Sequence, residues 1–85
     1  MYQIQWQKLA QRQARKIKSQ TLRESIFYAV ESLQNFPDVQ DVKKLTNHEY
    51  GFRLRVGNYR VMFDVVDSVR IIEIQEVRKR DERTY

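Results

Sequence analysis

The residues best suited to chemistry are arginines. Arg53 and Arg55 alternate with apolar residues in Phe52-Arg53-Leu54-Arg55-Val56, and Arg60 follows the pair Gly57-Asn58 in Tyr59-Arg60-Val61. A guanidinium holds its charge at any ordinary pH, and its planar fork of donors matches phosphate oxygens. Several on one surface stabilise negative charge that builds on phosphorus during displacement. The tail Arg78-Lys79-Arg80-Asp81-Glu82-Arg83-Thr84-Tyr85 adds four more basic residues and a terminal tyrosine. A basic cluster beside aromatics suits backbone contacts and base stacking on single-stranded RNA. A charged terminus is otherwise a frayed, solvated end. His48 has the right intrinsic pKa for a general base, but with no designated partner in its loop it reads as polar surface.

The composition narrows the alternatives. The chain has no cysteine, which excludes disulfides, thiolate nucleophiles and cysteine-based zinc or iron-sulfur sites. One histidine leaves no His-His or Ser-His pair to build on beyond His48 itself. Eighty-five residues suggest one domain, 1–85, with one small core. No apolar run is long enough to span a membrane and none near Met1 resembles a secretory leader, so the expected location is the cytoplasm. Sixteen Lys and Arg against eleven Asp and Glu give a net charge of +5, which favours a polyanionic partner. The basic residues are unevenly spread: Met1 to Arg23 holds six and no acidic residue, whereas Glu24 to Asp41 holds four acidic residues and no basic one. The basic first helix is either a solvated face or a dock for a large polyanion.

These groups need a scaffold. Tyr2 to Trp6 alternates with period two and reads as a short strand. Residues 7–18 read as a helix with a narrow apolar stripe of Leu9, Ala10, Ala14 and Ile17. Thr21-Leu22-Arg23-Glu24 fits a capping box for a second helix, whose core face is Leu22, Ile26, Val30 and Leu33 and which Pro37 stops. Trp6, Phe27 and Phe36 read as core. The expected fold is α+β, β-α-α-β-β-β, with both helices on one face of a small antiparallel sheet and the first strand at an edge.

Strict alternation on both sides of Gly57-Asn58 is a strong hairpin signal. It sets Val56 against Tyr59, Leu54 against Val61 and Phe52 against Phe63 on the covered face. A two-residue turn at Asp67-Ser68 would then set Ile74 and Ile72 against Val61 and Phe63. On the uncovered face Arg55 meets Arg60, Arg53 meets Met62, and Gln75 and Glu73 meet Arg60 and Met62. Like charges directly across a strand pair destabilise it. A bound phosphate that bridges the guanidiniums accounts for keeping them there. The alternative is a solvated face partly offset by Glu73.

The run from Lys43 to Val66, KKLTNHEYGFRLRVGNYRVMFDVV, followed by IIEIQEVRKRDERTY from Ile71 to Tyr85, resembles the RelE/ParE superfamily of toxins from bacterial type II toxin-antitoxin systems, and its RelE-like branch. The motifs are Lys44-Leu45 before the loop, the Arg-Leu-Arg-Val-Gly-x-Tyr-Arg hairpin and the Lys-Arg tail ending in tyrosine. The resemblance implies a ribosome-dependent endoribonuclease that cuts messenger RNA in the ribosomal A site, using the RNA's own 2′-hydroxyl and leaving a 2′,3′-cyclic phosphate. It implies that Arg53 stabilises charge on the phosphate, Arg60 grips it, Arg80 helps the 5′-oxygen depart and Tyr85 takes the 2′-proton. Lys44, Arg55, Arg78, Lys79 and Arg83 would bind RNA around that centre. Gly51 stands where some members carry another lysine. No metal or other cofactor is required by this chemistry. The implied partners are messenger RNA, the ribosome and a cognate antitoxin that covers the basic face.

Two other readings compete. The superfamily also contains inhibitors of DNA gyrase, against which the extended basic cluster on the sheet argues. A non-catalytic RNA-binding module would bind with a steep salt dependence and leave the RNA uncut.

Overall fold

The alternating segment at the start forms β1, Gln3–Trp6, followed by α1, Lys8–Arg15, and α2, Gln20–Glu31. A 3-10 turn, Ser32–Asn35, leads to a cis Phe36-Pro37 bond. The remaining strands are β2, Val42–Lys44; β3, Phe52–Val56; β4, Tyr59–Val66; and β5, Ile71–Lys79, the last entered through a 3-10 turn at Asp67–Val69. This computed structural model describes residues 1–80. The strands form one sheet in the order β1-β5-β4-β3-β2, and no described helix is long and apolar enough to cross a membrane.

The α+β layering agrees with the expectation from sequence, and β1 does lie at an edge. Two details were not foreseen. β1 runs parallel to β5, making the sheet mixed, and β2 adds a fifth strand by pairing with β3. β2 has only three residues, two of them lysines, so it offers no periodic apolar signal.

Ala10, Ala14, Ile26, Val30 and Leu33 on the helical side pack against Leu54, Val61, Phe63, Ile72, Ile74 and Val77 from the sheet. Phe36 meets Phe52 and Phe63 edge-on at 5.2 and 6.3 Å. Trp6 packs against Phe27 at 5.0 Å, but Phe27 is exposed rather than core, because it lies off the α2 face that carries Ile26 and Val30. The stripe expected on the first helix is likewise incomplete: Leu9 is exposed and the helix stops at Arg15.

α2 is not capped by a box at Thr21 and Glu24. It begins earlier, with Ser19 as N-cap; the amide of Leu22 donates to Ser19 Oγ at 3.1 Å. Glu24 instead accepts from Gln20 Nε2 at 3.1 Å. Ser19→Ala should therefore cost about 1 kcal/mol, read as a lower urea midpoint, whereas Thr21→Ala should leave that midpoint nearly unchanged.

The β3–β4 hairpin has the expected register, Arg55 opposite Arg60 and Arg53 opposite Met62. The β4–β5 register differs from expectation. The turn at Asp67–Val69 ends with Arg70 in the left-handed region, φ 57°, and is longer than a two-residue loop. It sets Val66 opposite Ile71, and a bulge beside Met62/Phe63 then leaves Gln75 outside the pairing. Phe63 consequently faces Ile74, Val61 faces Val77 and Arg60 faces Arg78 rather than Gln75. The bulge keeps both Ile74 and Val77 on the core side. Without it, one of them would point away from the helices.

Candidate functional site

The sheet face turned away from the helices carries a row of three arginines, Arg55, Arg60 and Arg78, on adjacent strands. The next row holds Lys43, Arg53, Met62 and Glu76. Like charges at neighbouring cross-strand positions oppose pairing, so each needs a separate account.

Arg78 is neutralised locally. It makes a two-pronged bond to Glu76, Nε to Oε1 at 3.0 Å and a terminal nitrogen to Oε2 at 2.8 Å, and it reaches Glu49 at 3.0 Å. Tyr50 donates its hydroxyl to Glu76 Oε2 at 2.7 Å. Tyr50 precedes β3 while Glu76 is on β5, so the tyrosine must cross β4 to make this bond. Met62, beneath that crossing, is 3% exposed although it faces away from the helices. From the other side of the sheet edge, Gln13 of α1 donates to Glu76 Oε1 and accepts from the amide of Val77 at 2.6 Å.

Hydrogen bonds from Arg78, with further ones from Tyr50 and Gln13, outweigh burial and hold the Glu76 carboxyl down to about 2. The Arg78 guanidinium is shifted up by the same bond to Glu76. The Tyr50 phenol, bonded to Glu76 and partly buried, is pushed up to about 12. A depressed carboxyl stabilises the fold above its unfolded pKa of 4.5 and ceases to do so as pH falls toward about 2. Glu76→Gln should therefore flatten the loss of stability across that acid range, measured as urea midpoints at successive pH values. An equally steep decline in the variant would show that this carboxylate is not responsible.

Arg53 and Arg60 have a different environment. Among the described residues, their Nε atoms are the buried side-chain polar atoms with no hydrogen-bond partner. A buried donor left unpaired costs about 1–3 kcal/mol, so a ligand that supplies an acceptor would recover that amount. Arg53, Arg55, Gly57, Asn58, Tyr59, Arg60 and Arg80 line one pocket of about 150 Å³. Gly57 takes a left-handed φ of 57°, which suits a tight hairpin turn. The amide of Arg80 donates to Asn58 O at 2.7 Å, so the end of β5 is tied to that turn and Arg80 enters the same pocket. Four guanidiniums, with no carboxylate lining the pocket among the described residues, make a site for an anionic phosphate group.

Three of the four residues expected to be catalytic, Arg53, Arg60 and Arg80, thus share one pocket, together with Arg55. Tyr85 and Arg83 lie outside the described residues. Lys44 is not beside the arginines: it pairs with Phe52, whereas Lys43 pairs with Arg53. The alternation of a strand explains this, since only every second residue shares a face. Arg78 lies in the arginine row but is committed to Glu76 and Glu49, and Lys79 is exposed opposite Tyr59. The carboxylate offsetting the arginines is Glu76, not Glu73, because the bulge moved the register; Glu73 sits opposite Asp64. His48 accepts from the amide of Tyr50 at 3.1 Å, a local turn contact, and has no catalytic partner among the described residues. At Gly51 the amide donates to Asp64 Oδ1 at 2.7 Å, and a Cβ there would lie 3.2 Å from the same oxygen. Asn58 and Tyr59 were not singled out from sequence; the hairpin turn itself was the available signal.

Residues 4–84 match the family described as ParE toxin of type II toxin-antitoxin system, parDE. No curated protein matches the sequence significantly. Among solved structures, the isolated RelE toxin of E. coli superposes with a TM-score of 0.80 at 19% identity, covering 96% of this chain and 87% of that one. The RelE-RelB complex from Pyrococcus horikoshii gives a TM-score of 0.80 at 22% identity, with 98% of each chain covered. The toxin-antitoxin complex RelBE2 from Mycobacterium tuberculosis gives 0.73 at 25% identity, covering 93% of this chain and 98% of that one.

Proposed function

This chain belongs to the ParE toxin family of type II toxin-antitoxin systems, within the RelE/ParE superfamily, and on the geometry of its arginine pocket we propose that it is a ribosome-dependent endoribonuclease cutting messenger RNA in the ribosomal A site. The observation that carries the proposal is the convergence of Arg53, Arg55, Arg60 and Arg80 on one pocket in which two guanidinium Nε atoms are buried and unpartnered. An RNA phosphodiester placed there would give those donors acceptors.

In-line attack by the adjacent 2′-oxygen forms a bond to phosphorus as the bond to the 5′-oxygen breaks, leaving a 2′,3′-cyclic phosphate. Negative charge rises on the phosphate oxygens, where fixed guanidiniums stabilise it without reorganising. Arg60, at the centre of the row, grips the phosphate and Arg53 stabilises the accumulating charge. Arg80 faces the departing 5′-oxygen; an arginine stays protonated, so it acts through its charge more than as an acid. Tyr85 receives the 2′-proton. A phenol with a reference pKa near 10 is a weak base at neutral pH unless nearby cations stabilise its ionised form. The ribosome would hold the RNA in the attack geometry, since orientation alone supplies several kcal/mol of a barrier. A cognate antitoxin would silence the protein by covering the basic face; the similar M. tuberculosis structure is a toxin-antitoxin complex and the P. horikoshii one a RelE-RelB complex.

Gyrase inhibition is the second reading, favoured by the description of the matching family. Primer extension on transcripts from translating ribosomes separates the two. Cuts within codons are expected; DNA damage with intact transcripts would support gyrase as the target instead.

A further inference from the structure

The arginine pocket holds more positive charge and more donors than one internal phosphodiester uses. Four guanidiniums line it, and among the described residues no carboxylate does. Glu76, in the neighbouring row on β5, and Glu49, in the loop before β3, are already bonded to Arg78. A phosphodiester within RNA brings one negative charge and two free oxygens. A terminal phosphate monoester brings nearly two charges near neutral pH and three free oxygens. The buried Nε atoms of Arg53 and Arg60 each need an acceptor, and Arg55 and Arg80 present further donors to the same space. Charge and oxygen count therefore both favour the monoester.

We propose that this pocket is a binding site for terminal, doubly charged phosphate monoesters and takes them in preference to phosphodiesters. The inference deepens the nuclease reading and rests on it for the identity of the natural ligand, an RNA end bearing a 3′-phosphate. It also explains why surplus charge would be kept: the phosphorane formed in the reaction carries one charge more than the diester, so a site complementary to the extra charge binds the transition state better than the substrate. The cyclic product, again a singly charged diester, leaves readily. A 3′-phosphate end, formed when water adds to phosphorus and the 2′-oxygen leaves as a hydroxyl, stays bound and inhibits.

Titration calorimetry on the full chain, comparing adenosine 3′-monophosphate with adenosine 2′,3′-cyclic monophosphate, tests this. The two share base and sugar and differ in phosphate charge and free oxygens. At about pH 7.5 the monoester should bind about tenfold more tightly. At about pH 5, below the second phosphate pKa near 6, the difference should shrink to about twofold. The groups facing the ligand are Arg53, Arg55, Arg60, Arg80 and Tyr59, with Lys79 opposite Tyr59 and the Arg78, Glu76 and Glu49 cluster beside Arg60. Arginine does not titrate in this range. Repeating the comparison in Glu49→Gln removes the one exposed carboxylate of that cluster as a cause of the pH effect. Arg60→Gln, checked by circular dichroism for intact structure, should lose the preference. Equal affinity for both ligands at the higher pH, a preference that ignores pH, or a preference retained in Arg60→Gln would overturn the proposal. Messenger cleavage on ribosomes without monoester preference would overturn it while leaving the nuclease reading intact; monoester preference without cleavage would overturn the nuclease reading alone.

Discussion

Arg60→Met should lower messenger RNA cleavage on translating ribosomes by about 10²–10³-fold, the usual effect of removing one preorganised charge stabiliser, and relieve growth arrest, while the protein resists urea at least as well as the parent. Arg60 lies between Arg55 and Arg78 on neighbouring strands, and its Nε is buried without a partner. Methionine keeps an unbranched apolar stem over the sheet while removing both the unpaired donor and the like-charge row. Loss of activity with retained or improved stability is the signature of a residue kept for chemistry at a structural cost. Full cleavage by a folded Arg60→Met protein would remove Arg60 from the site. Lost cleavage with a collapsed urea midpoint would make its role architectural.

The second large effect concerns the core. Phe63→Ala should cost about 3–5 kcal/mol, much of the stability of a domain this small, and leave a substantial unfolded fraction at growth temperature. Phe63 is fully buried at the middle of β4. It stacks on Phe52 at 5.3 Å with a 15° angle between ring planes and receives Phe36 edge-on. Removing the ring leaves a void bordered by both helical and sheet residues. Phe63→Leu, which restores most of the volume, should recover most of the loss in thermal or urea unfolding. If Phe63→Ala unfolds at nearly the same midpoint as the parent, this aromatic cluster is not the centre of the core.

The sequence revealed the site more fully than it revealed the strand carrying part of it. Alternation on both sides of Gly57-Asn58 set the β3–β4 register, and with it the facing of Arg55 and Arg60, because a two-residue hairpin leaves no freedom in pairing. The link from Arg60 to Arg78 was not legible. Asp67-Ser68 looks like a two-residue turn, but the chain makes a 3-10 turn with Arg70 left-handed, and the bulge at Gln75 leaves no mark in residue type. The pairing of Arg78 with Glu76 was hidden for the same reason. Lys44 rests on the Lys44-Leu45 motif of the resemblance, and β2 is too short to display the period that would set Lys43 beside Arg53. The cap on α2 was misplaced because Thr21 and Glu24 satisfy the box pattern, whereas Ser19 satisfies only the geometry.

The pairing of the first strand with the last also governs the order in which the molecule assembles. Gln3 to Trp6 lies beside Ile71 to Ile74, joining segments from near opposite ends of the chain. Contacts at such separation carry a large loop-closure penalty and form late. Arg80 reaches the pocket only through the end of β5. During synthesis the hairpin bearing Arg53, Arg55 and Arg60 emerges before that strand does. A nascent chain therefore holds an incomplete arginine cluster until β5 has emerged and docked.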